Sequence, residues 1–329
     1  MNLRIGILGA GSIGRIHAEA LSRHPRAAVT AVADADLARA QALAADFDAR
    51  AVRDLDELLR PGIDLLVVAT PNALHADAAL VALDRGIAVF SEKPMATSVE
   101  DARRVLARAE APGAFYVVGH NRRHAPVYRT VRRLIDEGFR PLLASMKMHE
   151  GDLRSPAWVS DPAVTGGFPY ENLVHFFDLM EWLVAPVAEI SCLARRPFYP
   201  DWNDFVVSVA FTGGAIGALT ASGHASWLDP AERTELVGDH VSIAVEGLDR
   251  VIDTAGAGGE RRVHEFSDLP RPERWGFFEQ DLEIVDCLLA GAKPCFSARR
   301  ALRTLEIADA CLAAARDGSA VALPPPTGI

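Results

Sequence analysis

The chain has 329 residues, of which 50% are hydrophobic and 24% are charged, a balance typical of a packed globular protein and not of a disordered or fibrous one. This length exceeds one ordinary hydrophobic core, so we expect two domains. The net charge of −10 argues against nucleic-acid binding, which needs a basic surface to displace counterions from phosphate.

The cysteines and the chain start bear on the cellular compartment. The four cysteines are widely spaced and form no C-x-x-C pair, so neither a zinc site nor a disulfide framework is predicted. The chain runs from Met1 straight into a strand, without the regions of a signal peptide. No apolar run approaches the roughly 20 residues that cross a bilayer. We therefore expect a cytoplasmic protein with no membrane partner.

The first 120 residues alternate apolar strands with helical periods. The predicted elements are strand 3–8, helix 13–23, strand 28–33, helix 36–45, strand 65–69, helix 74–85, strand 88–91, helix 98–109 and strand 115–119. Nearly continuous apolar strands separated by amphipathic helices indicate a parallel sheet that is covered on both faces. We therefore predict an α/β, doubly wound Rossmann domain over residues 1–121.

The pattern changes after residue 122. The predicted elements are helix 126–137, strand 142–149, an irregular stretch 151–169, helix 170–184, strands 189–194, 204–211, 215–222, 232–238 and 240–246, and helices 276–290 and 298–316. Closely spaced strands predict a large, mostly antiparallel open sheet in an α+β domain over residues 122–329. A second copy can cover the outer face of such a sheet, so we expect a homodimer or homotetramer.

A G-x-G-x-x-G motif directly follows the first strand and opens the first helix. It comprises Gly9, Gly11, Ser12, Ile13 and Gly14 with the alanine after the first glycine. The first glycine permits a tight turn, the second lets the backbone approach a pyrophosphate, and the third lets the helix pack on the strand. The helix N-terminus then attracts the phosphates. The alternative, a glycine-rich turn in an unrelated fold, fits the flanking βαβ pattern less well.

Asp34 lies 20 residues beyond Gly14, at the end of the second strand. A carboxylate there can hydrogen-bond the adenosine ribose hydroxyls and would repel a 2′-phosphate. Asp34 can instead cap the following helix, but Asp36 is better placed for that role. No arginine follows directly, and Arg39 is expected on the solvated face of the helix. The sequence therefore predicts NAD as the cofactor in preference to NADP.

Three further groups of residues lie where parallel strands end, the edge at which open α/β sheets bind ligands. They are Thr70, Pro71 and Asn72 with His75; Glu92 with Lys93 and Pro94; and Gly119 with His120, Asn121, Arg122 and Arg123. With the glycine motif, they resemble the Gfo/Idh/MocA oxidoreductase family, which includes sugar, inositol and dihydrodiol dehydrogenases. The resemblance covers nearly the whole chain, because Gly166, Gly167, Glu171, His175, Asp178, Trp182 and Leu183 continue it.

The resemblance implies that Lys93 is the catalytic lysine and that His175 is the histidine of the substrate-domain helix. Independently, oxidation of an alcohol needs a base for the hydroxyl proton and a donor to the developing alkoxide. Histidine has an intrinsic pKa suited to the base, and lysine carries the charge of the donor. The sequence leaves open which of the two takes the proton. The resemblance also places Glu92, Asn72 and His75 near the nicotinamide end of the cofactor.

Glu171 precedes His175 by four residues on a predicted helix, so the two side chains share a face and Glu171 can orient the imidazole. The family usually has aspartate at this position, and a glycine where this chain has Leu173. Asn121 is expected to contact the cofactor. Substrate contacts are expected from other polar and aromatic side chains, namely Arg122, Trp158, Tyr170, Asn172, His120 and Trp227.

The leading hypothesis is a dehydrogenase that transfers hydride between NAD and a carbon of a sugar, inositol or related polyol. One alternative is an NAD-dependent glycosidase that oxidises its substrate transiently. Another is a non-catalytic sensor or repressor that binds the cofactor. His175 can also be a core residue of its helix, and Lys93 a solvated surface residue. We predict no metal, because no compact ligand motif such as H-E-x-x-H occurs.

Overall fold

The computed structural model describes residues 2–60, 62–150, 156–226, 231–254, 259–293 and 296–327. Across these residues the chain forms two compact units. The first contains Met1–Asn121 and Phe277–Leu302, and the second contains Arg122–Gly276 and Arg303–Ile329. The chain therefore returns to its first unit after residue 276, whereas the sequence-based division at residue 121 leaves this returning segment with the second domain. No helix in the described part of the chain is long and apolar enough to span a bilayer.

The first unit has the predicted alternation of strands and helices. Its strands are β1 (Leu3–Leu8), β2 (Ala27–Ala33), β3 (Arg50–Val52), β4 (Leu65–Val68), β5 (Ala88–Glu92) and β6 (Tyr116–Gly119). The helices between them are α1 (Ser12–Ser22), α2 (Leu37–Ala45), α3 (Leu55–Leu58), α4 (His75–Asp84) and α5 (Val99–Ala109). Within the described residues the strands form a parallel sheet in the order β3-β2-β1-β4-β5-β6. This is the order of dinucleotide-binding folds, and the predicted fold class is confirmed.

Local sequence explains the helix starts in this unit. Asp36 precedes α2 and its carboxylate accepts from the backbone N–H of Ala38, as predicted. Ser98 caps α5 in the same way, by accepting from the backbone N–H of Asp101. Such caps satisfy donors that have no partner within the helix. The sequence did not predict β3 and α3, because segments of three and four residues are too short to show a period.

The second unit is an α+β arrangement, as predicted. Its first helices are α6 (Pro126–Asp136), α7 (Pro162–Thr165), α8 (Val174–Leu183) and α9 (Arg271–Arg274). Its strands are β7 (Leu143–His149), β8 (Val187–Arg195), β9 (Asp204–Phe211), β10 (Ile216–Ser222), β11 (Glu232–Val237), β12 (Ser242–Glu246), β13 (Arg250–Asp253), β14 (Arg262–Glu265) and β15 (Val321–Ala322). Before the last strand, β15, the chain also forms the helices α10 (Phe277–Ala290), which belongs to the first unit, and α11 (Ala298–Asp317).

The strands of the second unit form one large sheet in the order β14-β13-β12-β11-β7-β10-β9-β8-β15, counted over the described residues. All neighbours are antiparallel except β7 and β10. Burial alternates along β9, where Phe205, Val207 and Val209 are buried while Val206 and Ser208 are exposed. One face of this sheet therefore belongs to the core of the unit and the other carries exposed side chains.

Candidate cofactor and catalytic site

The carboxyl ends of the first unit's strands meet at one edge of its sheet. The register pairs Leu8 with both Ala33 and Val68, and Val68 with Ser91. Glu92 in turn pairs with Gly119. The glycine motif, Asp34 and Lys93 directly follow these strand ends, and Thr70 and Asn121 lie two residues beyond theirs. The structure therefore gathers the sequence-predicted residues of this unit at the edge where open α/β sheets bind ligands.

The three glycines of the motif differ in the space that a side chain would find at each position. A Cβ on Gly9, whose φ is +102°, would lie 2.3 Å from the carbonyl oxygen of Ala69. A Cβ on Gly14 would lie 1.9 Å from the carbonyl oxygen of Gly9. A Cβ on Gly11 would meet no described atom within 4 Å. The backbone at Gly11 thus borders open space at the start of α1, which is the surface that a pyrophosphate needs.

The carboxylate of Asp34 holds the glycine loop through a backbone hydrogen bond. One oxygen accepts from the backbone N–H of Ala10 at 2.8 Å, and the other accepts from the backbone N–H of Asp36 at 2.9 Å. Arg39 is exposed and lies 3.5 Å from the carboxylate of Asp36. An acidic side chain therefore borders the loop at the position that selects between ribose hydroxyls and a 2′-phosphate.

His75 joins two of the loops at this edge. Its side chain is 1% exposed, and its ring nitrogens lie 2.8 Å from the carbonyl oxygens of Pro94 and Thr70. Burial lowers the pKa of His75, and the two carbonyl groups oppose that shift. Asn72 is also buried. His75 therefore holds the Thr70 loop against the segment that carries Lys93.

Glu92 lies at the centre of a buried cluster that the sequence reasoning missed. His17 of α1 is fully buried; its Nε2 lies 3.1 Å from Glu92 Oε1, and its Nδ1 lies 2.7 Å from Asp281 Oδ2 of α10. The other oxygen of Glu92 accepts from the backbone N–H of Lys93 at 3.2 Å. The only available signal was a histidine within the first helix, and nothing in the sequence pairs it with an aspartate 264 residues away.

The side chains of His17, Glu92 and Asp281 together hold one proton. Burial alone would lower the pKa of His17, but the carboxylates of Asp281 and Glu92 raise it to about 10. Burial raises the pKa of Asp281. At Glu92, burial acts in the same direction, but His17, Lys93 and His75 together outweigh it and lower the pKa. These three pKa shifts are consistent with one another if Glu92 is ionised and His17 shares the proton with Asp281. Whether the proton resides on His17 or on Asp281, the three side chains together carry one net negative charge.

The second unit places its predicted residues on a widened helical turn. Pro169–Leu173 form a π-helical turn that continues into α8, and such turns are frequent at functional sites. Glu171 is half-buried and His175 is 7% exposed. Asn172 is buried, and its Nδ2 has no hydrogen-bond partner among the described residues. This amide is therefore suited to a polar ligand.

Two predicted substrate residues, and Arg123 beside them, are held by partners within the second unit. The Arg122 Nε donates to Glu232 Oε2 at 3.1 Å, and its guanidinium lies 4.6 Å from the ring centre of Trp275. The Tyr170 hydroxyl donates to Asp309 at 2.6 Å. Arg123 forms a two-point ion pair with Asp178, with both residues buried.

The remaining predicted residues differ in burial, and one of them lies outside the described part of the chain. Trp158 is half-buried in a short helical turn, Ala157–Ser160. Asn121 and His120 are buried, and the His120 ring stacks on Phe296 within the first unit, with the ring centres 4.0 Å apart. Trp227 lies outside the described residues. In the described part of the chain, no three histidine, cysteine or acidic side chains converge as metal ligands.

A Rossmann sheet with an open glycine loop defines a dinucleotide-binding protein, and comparison with known proteins gives its family. Residues 3–120 match the domain described as the oxidoreductase family, NAD-binding Rossmann fold, and residues 128–244 match the Gfo/Idh/MocA C-terminal domain. The chain belongs to the Gfo/Idh/MocA oxidoreductase family. The predicted family and the predicted NAD cofactor are thereby confirmed.

Two relatives and one solved structure illustrate the similarity. Inositol 2-dehydrogenase of Rhizobium meliloti (strain 1021) is 30% identical over 329 residues, covering 95% of this chain and 96% of that protein. The scyllo-inositol 2-dehydrogenase (NAD(+)) of Bacillus subtilis (strain 168) is 28% identical, covering 75% of this chain and 74% of that protein. The fold matches levoglucosan dehydrogenase, solved with NADH and levoglucosan, with a TM-score of 0.89 at 20% identity over 98% of this chain and 100% of that one.

Substitutions at two glycines should separate packing from cofactor binding. Gly14→Ala places a Cβ against the backbone of Gly9 and should lower the free energy of unfolding by about 3 kcal/mol or more. Gly11→Ala, at a φ of −75°, should change that energy by about 0.5 kcal/mol or less yet weaken NAD binding by at least roughly 10-fold, because it fills the space beside the loop. Thermal unfolding and NAD titration measure both quantities. Unchanged NAD affinity in folded Gly11→Ala would contradict the assignment of the loop.

The proton held at His17 should make stability depend on pH. The folded cluster keeps its proton up to about pH 10, whereas an unfolded histidine releases it near pH 6.5. The cluster's contribution is therefore fully present below about pH 6.5 and is lost as the pH rises through about 10. The unfolding temperature of the wild type should fall more steeply over this range than that of His17→Gln. Calorimetry at matched pH values measures both slopes, and parallel profiles would show that the cluster holds no extra proton.

Proposed function

We propose that this oxidoreductase transfers hydride between NAD and a hydroxyl-bearing carbon of an inositol or a related sugar or polyol. The observation that carries the proposal is the similarity to an inositol 2-dehydrogenase over nearly the full length of both proteins. The fold match to an enzyme solved with NADH and an anhydrosugar agrees with a carbohydrate-like substrate. Oxidation would convert the secondary alcohol to a ketone, with the hydride passing to NAD and the hydroxyl proton to the protein.

We propose Lys93 and His175 as the catalytic side chains. The Lys93 ammonium would donate a hydrogen bond to the substrate oxygen as it becomes an alkoxide, and the His175 imidazole would accept its proton. Glu171, on the turn before α8, would orient the imidazole or bind a neighbouring hydroxyl. The position of Lys93 at the ligand-binding edge of its sheet, and of His175 just after a π-helical turn, support these roles.

We propose that the cofactor contacts come from the strand ends of the first unit. NAD, when bound, supplies the hydride acceptor. The residues proposed to hold it are Gly9, Gly11, Ser12, Ile13, Gly14, Asp34, Thr70, Pro71, Asn72, His75, Glu92, Lys93 and Asn121. The open space beside Gly11 and the loop bonded to Asp34 support this set. For the substrate, the Asn172 amide is the strongest candidate, because Arg122 and Tyr170 already have partners.

Kinetics of single variants test these assignments. Lys93→Ala should reduce kcat by roughly 10²-fold or more, because a donor to the developing alkoxide is lost. His175→Ala should reduce kcat by roughly 10² to 10⁴-fold. The assay follows NADH absorbance with purified protein across inositols, sugars and anhydrosugars. Failure of the wild type to form or consume NADH with every substrate would overturn the proposed function, and an unchanged Lys93→Ala would remove the role of the lysine.

We propose that the open face of the second unit's sheet binds a second copy of the chain. Val206 and Ile216 are 52% and 57% exposed on this face. Leu193 pairs with Val206, and Leu143 pairs with Ile216, so the apolar side chains are adjacent. Serine and alanine lie in register between them, at Ser145, Ala218, Ser208 and Ser191. A flat, partly apolar surface of this kind suits a two-fold contact with itself.

Charge introduced on this face should separate the copies. The double variant Val206→Lys and Ile216→Lys should be a monomer, because like charges would face each other in a desolvated contact. Leu269→Lys, also at a partly exposed apolar position, should leave the assembly intact. Light scattering at micromolar concentration measures the mass. A wild type that is a monomer there would overturn the proposed contact.

We propose a cytoplasmic location as well. It is supported by Cys192, Cys287 and Cys311, which are free thiols in the structure, as is usual in a reducing compartment. Fractionation of cells expressing the chain tests this location, and recovery outside the cytoplasmic fraction would overturn it.

A further inference from the structure

Both oxygens of the Glu92 carboxylate are held, one by His17 and the other by the backbone of Lys93. The space around this carboxylate is also restricted. A Cβ on Gly119, which pairs with Glu92 across β5 and β6, would lie 2.7 Å from Glu92 Oε1. The carboxylate therefore has one orientation, directly next to Lys93 in the chain.

His17 is fixed as firmly as the carboxylate that it holds. Asp281 contacts its other ring nitrogen at 2.7 Å. Two phenylalanine rings pack against the imidazole in a T-shaped arrangement, with the ring centres of Phe90 and Phe277 at 4.9 and 5.8 Å. His17 and Asp281 are 0% exposed and Glu92 is 8% exposed. Water therefore does little to screen the charge of this cluster.

Charge distinguishes this cluster from ordinary packing. Burying ionised side chains costs free energy, and well-packed apolar residues of similar volume often stabilise a protein as well or better. The net negative charge of the cluster lies beside Lys93, whose charge in turn lowers the pKa of Glu92. His75 also lowers the pKa of Glu92, and the Asp281 carboxylate interacts with it as well, because burial and the charge of Glu92 both raise the pKa of Asp281. The cluster thus places a fixed negative charge next to the segment that carries Lys93.

We propose that His17 and Asp281 are positioning residues for Lys93, acting through Glu92. They hold the Glu92 carboxylate ionised and in one orientation, and Glu92 holds the Lys93 segment and attracts its ammonium. Helix α10, from the far end of the chain, would thereby contribute to the chemistry of the first unit. This inference rests on the proposed dehydrogenase function, in which Lys93 stabilises an alkoxide.

A purely structural role for the cluster would be to fasten α1 to α10. The chain offers a matched control for that role, because His24, two residues beyond the end of α1, also contacts an aspartate of α10. Its Nε2 lies 3.2 Å from Asp286 Oδ1, and the Asp286 side chain is 72% exposed. This second pair joins the turn directly after α1 to α10 with the same residue types but does not contact Glu92.

The first experiment compares His17→Gln, Asp281→Asn and the control Asp286→Asn in the full chain. The two cluster variants should lower kcat on the order of 10-fold, because the lysine is less well placed, and this loss should exceed any increase in Kd for NAD, because Glu92 is only one of the residues proposed to hold the cofactor. Asp286→Asn should keep the wild-type kcat. Equal losses in all three variants, or none in the cluster variants, would overturn the proposal. If His17→Gln does not fold, Asp281→Asn decides the question.

The second experiment tests whether His17 acts through Glu92. In a Glu92→Gln background, His17→Gln should lower kcat by less than about 2-fold, because the carboxylate that it positions is already gone. If the factors by which the two single substitutions lower kcat multiply in the double variant, His17 acts independently of Glu92. That result would overturn the proposal.

A third measurement does not depend on activity. Imidazole NMR signals should show no titration of His17 between pH 6.5 and 9 in the wild type, and a titration in that range in Asp281→Asn. Assignment comes from the signal that His17→Gln lacks. A wild type inactive on every polyol but with this NMR behaviour would refute the proposed function and leave the charged cluster established. A His17 that titrates near pH 6.5 in the wild type would overturn the cluster itself.

Discussion

Backbone contact at the glycine motif is the constraint on which the site of the first unit depends. Without side chains at Gly9 and Gly14, the end of β1, the start of α1 and the residue after β4 approach within van der Waals distance. This contact fixes the direction in which α1 leaves the sheet. The N-terminus of α1 consequently faces the edge where ligands bind, and His17, one turn further on, is placed against Glu92. One helix therefore serves both the phosphate loop and the lysine segment.

Periodicity was sufficient to predict the architecture of both units. Continuous apolar strands and intervening helices predicted the parallel sheet, and the alternation along β9 predicted a strand with the bounds that the structure has, Asp204–Phe211. The misses have physical causes. Strands β13 and β14 have four residues each and contain charged side chains, Arg250, Asp253, Arg262 and Glu265, so hydrophobic alternation hardly shows. The π-helical turn before α8 has no sequence signal of its own, because its residues fit an ordinary helix equally well.

The residues around the site were harder to predict than the fold, because charged side chains find partners across long stretches of sequence. Arg122 and Tyr170 are reasonable substrate contacts by residue type, yet Glu232 and Asp309 engage them. The motif around Lys93 was predictable from its position after a strand. The partner of Glu92 was not, because a single histidine on a helix carries no indication of what it faces.

The energetics of the His17 cluster bear on why the chain keeps three titratable groups in its interior. If the role of the cluster were to join α1 and α10, apolar side chains would do so without the cost of desolvating two carboxylates. The pair of His24 and Asp286 shows that the turn after α1 can be joined to α10 near the surface, where the Asp286 carboxylate stays largely in water and avoids most of that cost. A buried charge is useful where a neighbouring group must carry the opposite charge through a reaction. The position of Glu92, immediately before Lys93 at the sheet edge, is where such a charge has its largest effect.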